Sequence, residues 1–162
     1  MVAATVVVVY RAVADLKIMI RPATLADVDW IVGLALHEVK RYPRLRPDAK
    51  KMRKHLIQIV SAAKHFCWVS EDDRKCVSGA LVAITNQNLW AQRQSSNVLM
   101  WVANVRGDGV KLLSKFRDWI RSRRAVKVAG FAPDNDDIDP RVWRLAEMMG
   151  FKRCGGAYLL YN

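Results

Sequence analysis

Residues 97–113 read Asn-Val-Leu-Met-Trp-Val-Ala-Asn-Val-Arg-Gly-Asp-Gly-Val-Lys-Leu-Leu, a strand signal that breaks at two glycines and resumes with helical spacing. A strand that turns at glycine into a helix leaves backbone N–H groups unpaired at the positive end of a dipole. Such a turn suits a phosphate or pyrophosphate, and glycine lets the anion come close to the backbone. The same residues could also form a plain helix entry, so the turn gains meaning from its place in the chain.

With 162 residues the chain has the size of one domain, able to bury roughly 70% of its unfolded surface. Its 52% hydrophobic and 26% charged residues are globular values, which excludes a disordered chain. The net charge of +12 points to an acidic partner, such as a phosphorylated cofactor, nucleic acid or an anionic protein face. Cys67, Cys76 and Cys154 form no CxxC pair and one is left over from any disulfide scheme, so reduced thiols in a cytoplasmic setting are expected. His37, His55 and His65 lie on separate segments without ligand spacing, and no metal is expected.

Residues 3–9 are strongly apolar, too short to span a bilayer, and not preceded by a basic stretch, so no membrane association is expected. Residues 1–17 read as an N-terminal extension, either an added strand or a loosely attached tail. Residues 18–162 read as one domain, with no repeat and no Gly/Ser linker.

Strand signal begins at residues 17–21, and Thr24-Leu25-Ala26-Asp27 has the form of a capping box. Val28, Ile31, Val32, Ala35 and Val39 form one apolar helix face. Met52, Leu56, Ile59, Val60 and Ala63 form that of a second helix capped by Asp48. Residues 65–70 and 76–85, joined by a charged turn, make a hairpin, and 97–104 make the next strand. After the glycine turn, Val110, Leu113, Phe116, Trp119 and Ile120 are expected to face inward. A strand at 125–131, a helix opening at Asp139-Pro140 and ending at Gly150, and a closing hairpin over 151–161 complete the chain. The apolar stripe of that last helix is Val142, Leu145, Ala146 and Met149.

The order from residue 18 onward is β-α-α-β-β-β-α-β-α-β-β, an α/β (α+β) arrangement with a mixed central sheet flanked by helices. Together with Ile20-Arg21-Pro22-Ala23-Thr24 at its start, Arg106-Gly107-Asp108-Gly109 at the turn and Met149-Gly150-Phe151 near its end, this order resembles the GNAT N-acetyltransferase superfamily. The likeness covers residues 18–161. A small basic chain of this kind is also similar to GNAT-like proteins encoded by tailed phages.

The resemblance implies acetyl-coenzyme A as cosubstrate, without a metal. The family's turn pattern is Gln/Arg-x-x-Gly-x-Gly/Ala, and Arg106 and Gly109 match its first and fourth positions. By resemblance the cofactor would lie against Trp101, Arg106, Gly107, Asp108, Gly109, Val110 and Lys111. The backbone near residues 99–101 would serve the pantetheine arm between two splayed strands. Lys111 stands where a small residue is usual. Its side chain could crowd the pyrophosphate, or swing outward and meet a phosphate as a point charge. The family often has a tyrosine four residues before the Gly of Gly-Phe, acting as acid toward the departing thiolate, and here that position is Ala146. The catalytic acid is therefore unassigned, with Tyr158, Asp134 and Asp136 as the remaining candidates.

The loop and flanks over 40–54 carry Lys40, Arg41, Arg44, Arg46, Lys50, Lys51, Arg53 and Lys54. They read either as a site for an anionic acceptor, nucleic acid or an acidic protein, or as a solvated helix face. A second basic set, Arg117, Arg121, Arg123, Arg124 and Lys127, has the same two readings, and the acidic loop 133–139 reads as an amine site or a helix cap. Two functions compete: transfer of an acetyl group to an amine of unknown identity, or a weak or inactive GNAT-like module that binds an acidic partner. Oligomeric state is not legible in the sequence.

Overall fold

The computed structural model describes residues 5–11, 17–39, 46–87, 93–131, 140–154 and 157–161. Among these, eight strands form one mixed sheet: β1 (Thr5–Arg11), β2 (Met19–Pro22), β3 (Phe66–Glu71), β4 (Val77–Gln87), β5 (Gln94–Val105), β6 (Val126–Phe131), β7 (Lys152–Cys154) and β8 (Ala157–Tyr161). Four helices cover it: α1 (Val28–Val39), α2 (Ala49–Ser61), α3 (Asp108–Ser122) and α4 (Pro140–Met148). From β2 onward the order matches the one read from the sequence. The strand order is β2-β3-β4-β5-β6-β8-β7, with β1 paired to β5 off this path.

The sheet is buried on both faces, and side chains alternate between them. Leu81 and Ala83 of β4 join a core with Leu112, Leu113, Phe116 and Ile120 of α3 and with Val142 and Ala146 of α4. Ala80 and Val82 join a second core with Val28, Ile31 and Val32 of α1 and with Leu56 and Ile59 of α2.

On β5 the alternation is broken, and the break has a visible cause. Val98 pairs with Ala83 and Met100 with Val82, so Leu99 is an extra residue, a β-bulge. Val98 and Trp101 consequently face the α3/α4 core while Met100 and Val102 face the α1/α2 core. The bulge turns Trp101 toward the beginning of α3.

Near the start of the chain, Arg21 locks β2 to its neighbours. Its guanidinium donates to Asp27 at 2.8 and 3.0 Å and to Glu71 at 2.6 Å. The Asp27 carboxylate also accepts from the backbone N–H and hydroxyl of Thr24 at 2.7 and 2.8 Å, so the expected box is formed, at a short 3-10 turn (Leu25–Asp27) leading into α1.

Two apolar stripes differ from the expectation. Val110 is exposed, and Leu112 takes a buried place beside Leu113. Val110 lies in the first turn of α3, and the inward apolar stripe begins at Leu112. Ala63 lies beyond the end of α2.

Of the three cysteines, Cys67 is buried and Cys76 and Cys154 are exposed. Burial, with a smaller push from the charge of Asp27, raises the Cys67 thiol to about 12. Thiolate is the reactive form. A thiol reagent at pH 8 is therefore expected to modify Cys76 and Cys154 in the native protein, with Cys67 reacting only after unfolding. Prompt loss of all three thiols would contradict this packing.

Candidate active site

The site is organised by the junction of β5 and α3. Gly107 caps α3 at φ +94°, in the left-handed region, and a Cβ placed there would meet nothing within 4 Å. The glycine is thus required by backbone conformation, with open space in front of it. The first intrahelical bond of α3 runs from the Lys111 N–H to the Gly107 carbonyl at 3.1 Å. The N–H groups of Asp108, Gly109 and Val110 precede it, the usual donors of a helix N-terminus.

Gly109 has a different reason to be glycine. A Cβ there would lie 3.4 Å from Ala103 and from the indole of Trp101. It faces the sheet and lets α3 sit close to the bulged strand, so a valine at this position would press into the core.

The Asp108 side chain also turns inward. It is fully buried and accepts from the hydroxyls of Ser70 at 2.8 Å and Ser78 at 2.5 Å, while its second oxygen has no partner. Ser78 is itself a bulge residue, since Ser70 pairs with Gly79 and Glu71 with Val77. The bulge aims its hydroxyl at the helix end. A buried carboxylate in the first turn is favoured by the dipole, and two hydroxyl donors offset its desolvation. This seat fixes where α3 begins.

Trp101 is 2% exposed and packs edge-on against Phe131, with ring centroids 5.7 Å apart. Its indole N–H has no partner. A buried indole donor beside an open helix N-terminus is a place where a ligand acceptor would gain a hydrogen bond. Arg106 is exposed at the turn. The Lys111 ammonium donates to the Ile18 carbonyl at 3.4 Å, so it reaches toward β2.

The edge of β5 ahead of this turn is shared in an unusual way. Its opposite edge is taken by β4 from Gln94 to Ala103. On the near edge β6 pairs only with Gln94–Asn97; Phe131, the last residue of β6, pairs with Tyr158 of β8. The two strands part at the Leu99 bulge, and β1 enters there, pairing in parallel with Met100, Trp101, Val102, Ala103 and Val105.

The remaining candidates are scattered. Ala146 is fully buried in the α3/α4 core, so a tyrosine introduced there would have to displace packed side chains. Tyr158 stands opposite Phe131 in the β6–β8 pairing, at the same end of the sheet as Trp101. Asp134 and Asp136 lie outside the described residues, as do Lys40, Arg41 and Arg44. Arg46, Lys50, Lys51, Arg53 and Lys54 are exposed. Lys50, Lys51, Arg53 and Lys54 line an open groove on α2 with Asp48, Ile57 and Gln58. Arg53 is bonded to Asp29 at 2.7 Å. In the second basic set Arg117 pairs with Asp118, and Arg123 lies over the Trp119 ring, so part of that set serves the fold. Among the described residues no cluster of His, Cys, Asp and Glu could hold a metal, and no helix is long and apolar enough to cross a membrane.

Sequence reasoning missed Ser70, Ser78 and the Leu99 bulge. Only Ser78-Gly79 carried a signal, because a glycine inside a strand marks a bulge or a close approach.

No family model matches the chain, and no curated protein sequence matches it. Solved structures do. The ribosomal-protein-alanine N-acetyltransferase of Brucella melitensis aligns with a TM-score of 0.71 at 19% identity, covering 89% of this chain and 99% of that one. The fold is the GNAT fold. The GNAT phosphinothricin acetyltransferase of Sinorhizobium meliloti, solved with AcCoA, gives 0.70 at 18% identity over 89% of this chain and 88% of its own. NAA60 of Arabidopsis thaliana, solved with acetyl-CoA, gives 0.67 at 11% identity over 90% and 100%. The GNAT resemblance drawn from the three sequence landmarks is borne out at the level of fold.

Proposed function

We propose that the protein is an acetyl-coenzyme A-dependent N-acyltransferase whose cofactor pyrophosphate rests on the turn of Arg106, Gly107, Asp108, Gly109, Val110 and Lys111. The observation that carries this reading is the left-handed Gly107 with open space before it, at the head of a helix whose first intrahelical bond starts only at the Lys111 N–H. The unpartnered Trp101 indole N–H and the exposed Arg106 add a donor and a cation beside that turn. Two GNAT-fold neighbours were solved with acetyl-CoA, which supports the same ligand here.

Bound acetyl-coenzyme A supplies a thioester carbonyl that a neutral amine can attack, with the thiolate leaving. The chain's part is to hold the pyrophosphate by backbone N–H groups and to keep the acyl end near the close of β6. Ala146 has no proton to give, so any acid must come from elsewhere, and the pairing of Tyr158 with Phe131 at the close of β6 supports Tyr158. A thiolate leaves tolerably without an acid, so the reading predicts slow turnover on generic amines. The exposed cations of α2 favour an anionic acceptor or partner on that face.

Calorimetry with coenzyme A up to roughly 1 mM tests the cofactor reading, that range covering ordinary substrate affinities. Saturable heat is expected. Arg106→Glu, an exposed change that leaves the core alone, should weaken binding about tenfold or more without moving the thermal midpoint. Absence of heat both for the unmodified protein and for a variant in which β1 no longer pairs with β5 would overturn the proposal.

A further inference from the structure

We infer that residues 5–11 act as a built-in occluding strand: β1 holds the stretch of β5 edge that the amide-bearing arm of coenzyme A would use, and has to leave before the cofactor can bind. The inference rests on the cofactor reading above.

β5 has two edges. One is occupied by β4 from Gln94 to Ala103. The other is free of β6 beyond Asn97, because the Leu99 bulge bends β5 away. What remains is a wedge with a row of backbone donors and acceptors along Met100–Val105, ending at Arg106-Gly107. Any ligand that places its phosphates on the helix N-terminus and reaches toward the close of β6 has to run along this wedge. The arm of coenzyme A carries two amides, and an amide arm meets a strand edge as an added peptide strand does.

β1 already occupies that row. Thr5 pairs with Met100, Val6 with Trp101, Val7 with Val102, Val8 with Ala103, and Arg11 with Val105. It runs parallel to β5, so its last residue arrives beside the turn. Thr5-Val6-Val7-Val8-Val9 is an uncharged β-branched run, well suited to pairing along a strand edge. Residues 12–18 join it to β2, a short tether that holds β1 at high local concentration. Strand and cofactor arm would compete for the same groups, and the apparent affinity would fall by the fraction of molecules with the wedge open.

Two measurements on the full chain test this. Val6→Pro with Val7→Pro removes a backbone donor whichever of the two faces β5, because proline has no N–H to give to the ladder. Coenzyme A is expected to bind this variant at least tenfold tighter than the unmodified protein, provided its thermal transition remains cooperative. Independently of any substitution, hydrogen exchange of the unmodified protein should show residues 5–11 losing protection as coenzyme A saturates, while Met100–Val105 stay protected. Equal affinity for both proteins, with residues 5–11 still protected at saturation, would overturn the occluding strand and leave the cofactor reading standing. Failure of both proteins to bind coenzyme A would overturn both.

Discussion

Arg21→Ala is expected to destabilise the protein by about 3 kcal/mol and to flatten its acid dependence. Arg21 is bonded to two carboxylates that are each nearly buried, Asp27 and Glu71, and its loss leaves them without their main partner. Lys75 still reaches Glu71 at 3.1 Å, whereas Asp27 keeps only Thr24. The Arg21 guanidinium holds Asp27 down to about 2, against the opposing effect of burial, and it also lowers Glu71, helped by Lys75.

The sign follows from these directions. A carboxylate held below its unfolded value contributes stability that is complete above about pH 4 and lost as pH falls toward 2. For Asp27 the contribution is about 2 kcal/mol. Denaturant midpoints at pH 7 and pH 2.5 should therefore differ strongly in the unmodified protein and much less in Arg21→Ala. Arg21→Lys should fall between, since an ammonium cannot form the two-pronged contact. A variant with unchanged stability at pH 7 would show that the triad contributes nothing.

The second large effect is expected at Gly79. A Cβ there would lie 2.7 Å from the Ser70 hydroxyl and 2.7 Å from the Val102 carbonyl oxygen, with Ala103 Cα at 3.3 Å. The hydroxyl could rotate away, but the carbonyl belongs to a strand paired on both sides. Gly79→Ala should cost about 3 kcal/mol, the upper range for overpacking. Because Ser70 and Ser78 seat Asp108, the same change should loosen the first turn of α3 and weaken coenzyme A binding. Gly33→Ala is the contrast: it lies in α1 with nothing within 4 Å of the new Cβ and should stabilise by about 0.5–1 kcal/mol. Equal melting behaviour of the two variants would mean that β4 and β5 are not as close as described.

Why some of this was legible and some not follows from the range of the interactions. The Thr24–Asp27 box, the Asp48 cap, the glycine stop at Gly150 and the order of elements from β2 are local signals, and they read directly from neighbouring residues. The turn at Gly107 was legible because a left-handed residue needs glycine. The inward course of Asp108 was not, since its partners are hydroxyls 38 and 30 residues away. Val110 looked apolar and therefore internal, but it is exposed in the first turn of α3. The apolar run at the N-terminus allowed an added strand or a loose tail, and periodicity could not say which edge it would join. That depended on the Leu99 bulge, which no residue type announces.

On the proposed reading, backbone N–H groups at the head of α3 hold the phosphates of coenzyme A. Amide chemical shifts of the 15N-labelled protein, followed as coenzyme A is added, test it most directly. The largest changes should fall on Asp108, Gly109 and Val110, with the Trp101 indole N–H moving alongside them. Saturable shifts confined to α2 around Lys50, Lys51 and Lys54, with the head of α3 unmoved, would contradict it.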